Sequence, residues 1–307
     1  MSKATVFARS GSAGISDEGA SPLDFVILLK PRVAALVAFT GLVGLVLADA
    51  VIHPILAATA IFCIAVGAGA AGAINMWYEA DIDARMERTR NRPIPAGRMD
   101  PGAALGFGVF TAVASVVLIG LATNWLAAAL LALAILFYVF VYTVWLKRRT
   151  PQNIVIGGAA GAIPPLIGWA AAAGEIQLYP VLLFAIIFMW TPPHFWALSL
   201  YKSGDYERAG VPMLPVVVGL QSTRRHILGY TFVLVPLTLM PVILGYAHAV
   251  YGVGAGLLGV GFLALTATLW HRGTESLART VFVYSIGYLF LLFVLLLIDH
   301  AWRVSLT

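Results

Sequence analysis

The residues best suited to chemistry lie in a short charged segment, 75–93, that directly follows a long apolar stretch and carries four carboxylates and four arginines. Asn75, Glu79 and Asp83 recur at every fourth position, so on a helix they share one face. Mg²⁺ takes carboxylate and amide oxygens and usually keeps positions for water and substrate phosphate. The spacing therefore indicates a site for a Mg²⁺–diphosphate complex, with a solvated, ion-paired loop as the alternative.

The arginines of this segment have a matching spacing. Arg88 and Arg92 lie four residues apart and can each grip phosphate oxygens with two hydrogen bonds. Asp81 points away from Glu79 on an ideal helix and is expected to pair with Arg85. Charged groups are costly within a membrane helix, so a dense cluster at its end indicates use on a charged ligand or ion.

A second polar group surrounds His194. His194, Tyr201 and Asp205 are separated by seven and four residues, so they share a face if the helix continues; Gly204 is expected to end it nearby. The prolines at 192–193 donate no backbone hydrogen bonds and predict a kink. Three roles stay open for His194: an interior hydrogen-bonding residue, a proton-handling group, or an axial ligand of a porphyrin iron.

Further basic and aromatic residues lie at the same helix ends. Lys147 and Arg148 either anchor a helix to anionic lipid headgroups or contact the same anionic substrate. Lys202 and Arg208 flank Asp205 and either form surface ion pairs with it or assist in binding. Nearby aromatic rings belong to an interfacial belt or stabilise a developing carbocation; they include Tyr78, Tyr142, Trp196 and Tyr201.

Composition identifies the class of protein. Of 307 residues, 61% are hydrophobic and only 11% charged, with a mean hydropathy of +0.92, whereas soluble domains carry about 25% charged residues. A spanning helix needs about 20 apolar residues. The chain is therefore predicted to be an all-α polytopic membrane bundle of nine transmembrane helices at about 30–49, 53–76, 101–121, 125–145, 152–172, 178–200, 227–247, 250–270 and 280–299.

The basic residues predict the orientation of the bundle. Of 19 lysines and arginines, 18 lie in the N-terminal region and the alternate loops that share its side, and only Arg303 lies opposite. The positive-inside rule then places the N-terminus in the cytoplasm and the C-terminus outside. Residues 1–22 are predicted to be a disordered cytoplasmic tail and 23–307 a single transmembrane domain. The basic excess reflects topology, and no motif indicates binding of nucleic acid.

Several motifs together are similar to those of a known family. The stripe from Asn75 to Asp83, followed by Arg88-Thr89 and Arg92-Pro93, resembles the first acidic motif of the UbiA-type intramembrane prenyltransferases. The resemblance covers about 24–300 and is strongest to the branch that farnesylates haem, through 30–32, 75–93, 142–171, 191–217 and 278–293. Two departures concern the acidic residues: Glu79 stands where the family usually has Asp, a longer side chain of the same charge, and Gly204 replaces the first Asp of an Asp-Asp-Tyr sequence.

The resemblance implies a reaction and a set of roles. A farnesyl group would pass from farnesyl diphosphate to a vinyl group of haem B, with water addition and release of diphosphate. Mg²⁺ would be held by Asn75, Glu79, Asp83 and Asp205. The diphosphate would be bound by Arg88, Arg92, Lys147, Arg148, Lys202 and Arg208. The prenyl chain or haem would meet Tyr78, Tyr142, Trp196 and Tyr201, and His194 would take part in catalysis.

The resemblance also implies a cellular location and partner proteins, and it leaves two alternative functions open. The enzyme would lie in the lipid bilayer of a bacterial cell inner membrane, with its site facing the cytoplasm and the farnesyl chain between spans two and six. A haem A synthase or a terminal-oxidase assembly protein is the implied partner. The alternatives are a prenyltransferase for another acceptor, such as a quinone precursor or chlorin, and a transporter or channel. Polar residues gathered at one mouth of the bundle argue against a continuous path.

Overall fold

The computed structural model describes residues 20–304, which contain no strand. Each long apolar stretch forms one or two helices, and short helices fill the polar connections between them. The fourteen helices are α1 Pro22–Leu28, α2 Pro31–Leu47, α3 Pro54–Tyr78, α4 Ala80–Asp83, α5 Pro101–Ala122, α6 Trp125–Leu136, α7 Asn153–Ala162, α8 Pro164–Ala173, α9 Leu178–Tyr201, α10 Ser203–Arg208, α11 Leu214–Val218, α12 Leu220–Ile243, α13 Ala249–Arg272 and α14 Glu275–Val304.

The helices confirm the predicted membrane bundle. In the described part of the chain eight helical segments are long and apolar enough to cross a membrane, with α7 and α8 together forming one. A ninth is present if α1 and α2, bent by 50° at their junction, make a single broken span. The predicted tail lies outside the described residues up to residue 19; Ser21 then caps α1. The orientation of the two termini remains a prediction.

Helix α3 carries the acidic stripe at its C-terminal end. Its 25 residues reach about 37 Å at 1.5 Å per residue, more than the roughly 30 Å hydrocarbon layer. The helix ends at Tyr78 and resumes as α4, with Glu79 at the junction. The Glu79 amide still donates to the Asn75 carbonyl at 3.0 Å, and the Asp83 amide to the Glu79 carbonyl at 2.8 Å. The one-face spacing therefore survives the break.

Small residues let α2 pack directly on α8. An added Cβ at Gly168 would lie 1.9 Å from the Gly41 carbonyl oxygen, and one at Gly44 would lie 2.1 Å from that of Pro165. Close backbone approach through small residues is the usual basis of helix association in membranes, where the lipid offers little hydrophobic drive. This contact joins two apolar cores, one centred on α9 and α12 to α14 and the other on α2, α3, α5, α6 and α8.

Two local features set the direction of side chains near the site. Helix α6 continues from Phe137 to Leu146 as ten residues of π-helix, a winding that is rare and often found at functional sites. Helix α9 runs without a break through 192–193, although those prolines leave the carbonyls of Phe188 and Met189 without their helical donors. A small apolar cluster, including Ile82, Met86 and Tyr206, then packs the segment after α3 against α10.

Candidate active site

The four residues predicted to hold a metal are all buried. Asn75 lies among the buried residues at the end of α3, Glu79 lies at the break, Asp83 closes α4, and Asp205 lies on α10; each is at most 5% exposed. A buried carboxylate must be paired or coordinated, because removing an unpaired charge from water is very costly. The identity of each partner therefore shows what the cluster can bind.

Glu79 has one oxygen paired and one free. The Lys147 ammonium donates to Oε2 of Glu79, and the Lys147 Nζ lies 5.7 Å from the centre of the Tyr142 ring. Oε1 of Glu79 is fully enclosed and has no hydrogen-bond partner among residues 20–304. An ionised oxygen without a partner is rare in a protein interior, so Oε1 is available to a cation.

Asn75 is held from two sides. The Lys30 ammonium donates to Oδ1 of Asn75 at 3.1 Å, and Nδ2 of Asn75 donates to the Thr143 hydroxyl at 3.1 Å. Lys30 lies at the α1–α2 junction with φ of 50°, a left-handed conformation that is unusual for a residue with a side chain. Its methylenes cross α3 at Gly72, where an added Cβ would lie 3.2 Å from Lys30 Cδ.

Asp83 binds an arginine from the loop that follows it. Arg92 donates to Oδ2 of Asp83 at 2.6 Å, and the Thr89 hydroxyl donates to the Asp83 carbonyl at 2.9 Å. The loop is thereby folded back onto α4. Arg92 keeps 23% of its side-chain surface, which leaves its remaining donors able to reach a ligand at the mouth.

Asp205 joins the cluster through its neighbours. Arg208 donates to Asp205, while its own side chain remains 62% exposed. Arg88 lies 5.5 Å from the centre of the Tyr206 ring and donates to its hydroxyl at 3.1 Å. This contact ties the first charged segment to α10. Lys202 lies nearby with its Nζ 6.0 Å from the centre of the Tyr201 ring.

Asp81 was predicted to pair with Arg85, and this prediction is wrong: its partner is Arg148. Arg148 donates to both of its oxygens, at 2.6 and 2.9 Å, because the end of α6 reaches the segment after α3. The Arg148 guanidinium also lies 5.4 Å from the centre of the Tyr78 ring. Partial burial works against ionisation of Asp81, but the hydrogen bonds and charge of Arg148 outweigh it and hold the pKa of Asp81 below its usual range.

Two predicted residues occupy the interior of α9. His194 is buried, and its Nδ1 lies 2.7 Å from the Ser285 hydroxyl oxygen on α14. Trp196 packs edge-on against His226 and Tyr230 of α12, so its contacts are with the apolar core and not with the charged cluster. Tyr201, at the end of α9, meets the ring of Phe282 at 6.0 Å between centres.

Sequence reasoning assigned no role to several residues that complete this arrangement. Lys30 stood only in a matching motif, Tyr206 was only one of the aromatic residues near the charged patches, and Thr143 and Ser285 had no assignment. A lysine immediately before a proline at the start of an apolar span was the available signal for Lys30. No local pattern marked the others, because their partners are 68 to 118 residues away.

The oxygen atoms of the cluster fit a Mg²⁺ ion whose remaining ligands come from water and the substrate. Within the described residues no three His, Cys, Asp or Glu side chains converge on one point, so a cage made only of such side chains is absent there. Mg²⁺ is usually bound through one or two carboxylates plus water and substrate phosphate. The unpartnered Oε1 of Glu79 and the oxygens of Asn75 and Asp83 supply that partial set, and lysine and arginine surround them.

The sequence and fold place the chain in a known class. Residues 37–298 match the model of the UbiA prenyltransferase family, and the chain belongs to that family. It is an enzyme, a prenyltransferase, and not a transporter or channel. Among its relatives is the protoheme IX farnesyltransferase of Parvibaculum lavamentivorans, 57% identical over 97% of this chain and 96% of that protein. That of Azorhizobium caulinodans is 59% identical over 96% of this chain and 97% of that protein.

Solved structures show the same fold at low identity. A digeranylgeranylglyceryl phosphate synthase structure superposes with a TM-score of 0.76 at 17% identity, covering 90% of this chain and 97% of that one. A UbiA homologue from Archaeoglobus fulgidus bound to DMAPP and Mg²⁺ gives a TM-score of 0.62 at 14% identity, covering 89% and 99%. The predicted all-α bundle is thus confirmed as a fold that other members share.

Proposed function

We propose that this enzyme transfers the farnesyl group of farnesyl diphosphate to a vinyl group of haem B and adds water, giving haem O and diphosphate. The choice of donor and acceptor is supported by relatives of 57–59% identity that bear the name protoheme IX farnesyltransferase. The structural observation behind it is the buried carboxylate of Glu79, with one oxygen on Lys147 and the other unpartnered. The basic residues around it suit a diphosphate.

The diphosphate is bound by cations that already surround the cluster. Lys147, Arg88 and Arg92 each have a hydrogen bond to the protein and spare donors for phosphate oxygens. As the bond between C1 of the farnesyl group and oxygen breaks, its electron pair passes to the diphosphate, and these preorganised donors stabilise the charge that develops there. Arg148, Lys202 and Arg208 lie at the rim and bind the outer phosphate.

Mg²⁺ would be held by Asn75, Glu79, Asp83 and Asp205, and it supplies neutralisation of the leaving diphosphate. Lys30 and Thr143 hold the two ends of the Asn75 amide and fix its orientation. Thr89 keeps the loop with Arg92 folded over the site. These contacts fix the first polar layer before substrate arrives, which avoids reorganisation during the reaction.

The allylic cation must meet the vinyl group before it meets water. The farnesyl chain lies between α3 and α9, with Tyr78 and Tyr142 facing the cation. The π electrons of the haem vinyl group form the new carbon–carbon bond, and positive charge moves to the adjacent vinyl carbon. Water then adds its oxygen to that carbon and releases a proton. Excluding water until the first step is complete prevents hydrolysis of the cation.

The site is proposed to face the cytoplasm across a bacterial inner membrane. The basis is the distribution of 18 of 19 lysines and arginines on the side that carries the acidic cluster. Both substrates partition into lipid, so entry from the bilayer suits them. A haem A synthase or a terminal-oxidase assembly protein is the proposed recipient of the product.

The test is mass spectrometry of pigments extracted from membranes that contain the enzyme. Membranes supplied with farnesyl diphosphate and haem B are expected to accumulate haem O, and a chelator is expected to stop this until Mg²⁺ is restored. Parallel samples receive a quinone precursor or a chlorin instead of haem. A prenylated quinone precursor or chlorin with unchanged haem B would overturn the proposed acceptor, and full activity in chelator would overturn the metal dependence.

A further inference from the structure

The imidazole of His194 is fixed on three sides. The Trp190 ring is stacked on it at 4.3 Å between centres and 18° between planes. The Phe282 ring is stacked on it at 4.7 Å and 24°. Ser285 holds its edge through the 2.7 Å contact to Nδ1. Together with the Phe195 ring, which lies edge-on at 5.2 Å between centres, these contacts restrict the position of the ring.

Ser285 determines which nitrogen carries the proton. The Ser285 hydroxyl donates its only hydrogen to the Phe282 carbonyl at 2.7 Å. The oxygen can then only accept from Nδ1, so a neutral His194 carries its hydrogen on Nδ1. Ser285 also binds through its backbone, since its carbonyl accepts from the Trp190 indole at 2.7 Å. One residue thus fixes both the protonated edge of His194 and the ring beside it.

The opposite nitrogen is left as a lone-pair donor. Nε2 of His194 makes no hydrogen bond within residues 20–304. It is nevertheless not fully enclosed by the surrounding atoms. His194 keeps 9% of its surface, and because Nε2 lacks a partner without being fully enclosed, part of that surface belongs to Nε2. Neutral imidazole with the hydrogen on its other nitrogen is the form that ligates iron, and a hydrogen bond from that hydrogen strengthens the ligand.

The position suits the acceptor of the reaction. His194 precedes Tyr201 by seven residues, about 10 Å along α9, and Tyr201 shares Phe282 with His194. The diphosphate cluster begins immediately beyond Tyr201, at Asp205 and Tyr206. A flat, apolar ring system whose centre lies at His194 can extend an edge towards the reacting end of the donor.

We propose that Ser285 is a positioning residue that sets His194 in the Nδ1–H form, so that Nε2 ligates the iron of the haem acceptor, with Trp190 securing the ring. This inference rests on haem being the acceptor, as proposed above. The atom that binds the iron is Nε2 of His194, and Ser285 keeps that nitrogen free of hydrogen. An interior hydrogen-bonding role requires no open Nε2, whereas proton handling would use the same nitrogen as iron ligation, and the absorption spectrum of bound haem distinguishes these two.

The first experiment reads the tautomer without haem or catalysis. Protein labelled with ¹⁵N-histidine is examined by NMR at neutral pH, and the His194 signals are assigned by difference from His194→Gln. The wild type is expected to show a protonated Nδ1 and a bare Nε2, and Ser285→Ala to show a mixture of the two tautomers. Ser276→Ala, an exposed serine on the same helix, is the matched control. A wild-type Nε2–H form would overturn the proposal.

The second experiment titrates haem into the purified enzyme and follows its absorption spectrum. The wild type is expected to give the spectrum of imidazole-ligated iron, which His194→Gly should lose and added imidazole should restore. Ser285→Ala should weaken binding about 10- to 100-fold, and Ser285→Thr, which keeps the hydroxyl, should recover most of it. An unchanged spectrum in His194→Gly would overturn the ligand assignment.

Farnesyl transfer measured on the same samples separates the two proposals. Haem O formation without a histidine-ligated spectrum would leave the proposed function standing and defeat this inference. A histidine-ligated spectrum with no haem O would support the binding mode and defeat the proposed reaction.

Discussion

Lys147 and Glu79 lie 68 residues apart and form a buried ion pair that uses one of the two carboxylate oxygens. The end of α6 brings the ammonium to the break after α3, and the second oxygen is enclosed with no partner in the part of the chain that the structure describes. Such a pair is stable only while both charges are present, because removing either partner leaves the other charge buried alone. Binding of a cation and an anionic substrate would satisfy both groups more fully.

Glu79→Gln is expected to reduce haem O formation by a factor of at least 100, because it removes the unpartnered oxygen proposed to hold Mg²⁺ and leaves Lys147 without its counter-charge. Initial rates across a Mg²⁺ series measure the effect. Asp81→Asn is the matched control, since Asp81 lies two residues away and its side chain is 53% exposed. Near-normal rates in Glu79→Gln, with unchanged Mg²⁺ dependence, would contradict the assignment.

Lys30 offers a way to separate charge from backbone shape. Lys30→Gly accommodates the φ of 50° without strain but removes the ammonium that binds Asn75, and we expect its turnover to fall at least tenfold. Lys30→Arg keeps a charge of different length and should lie between the two. Turnover is measured beside thermal unfolding in detergent. If Lys30→Gly were fully active, the left-handed turn alone would be what the enzyme requires.

The Asp81–Arg148 pair should make a small, acid-sensitive contribution to stability. Because the folded pKa of Asp81 lies below the ordinary 3.8, the pair stabilises the fold above that pH and loses its effect as pH falls through the lowered value. A double-mutant cycle of Asp81→Asn and Arg148→Gln, read by unfolding temperature, measures the coupling. It should be present near neutrality, and small because the pair is exposed. Coupling that grew on acidification would contradict this.

The contact of α2 with α8 predicts opposite outcomes for two glycines. Gly168→Ala would place a methyl group 1.9 Å from the Gly41 carbonyl oxygen, so the helices must separate, at a cost of about 1–3 kcal/mol or more. Gly161→Ala, on α7, meets nothing within 4 Å and should be neutral. Unfolding temperature and yield of folded protein in detergent measure both. Equal stability of the two variants would show that the backbones do not meet as described.

The features that depend on local spacing could be predicted from the sequence alone. The bundle followed from apolar length, and the burial of Asn75, Glu79 and Asp83 on one side agrees with their spacing of four, because i to i+4 hydrogen bonds persist through the break at Glu79. The site roles themselves remain predictions.

Partners from other helices could not be predicted from the sequence. Asp81 was assigned to Arg85, a neighbour at helical spacing, whereas the fold supplies Arg148 from α6. The Lys30–Asn75 and His194–Ser285 contacts likewise depend on which helices pack together. Spacing in sequence carries no information on that packing.

The ten residues of π-helix at the end of α6 have a consequence for how this chain can change. Lys147 and Arg148 follow them directly. The direction in which both side chains point around the helix axis therefore depends on how many residues the stretch contains. A residue inserted into or removed from that stretch changes its winding, and the position of Lys147 beside Glu79 depends on that winding. The number of residues in this stretch, and not only their types, is therefore a requirement of the site.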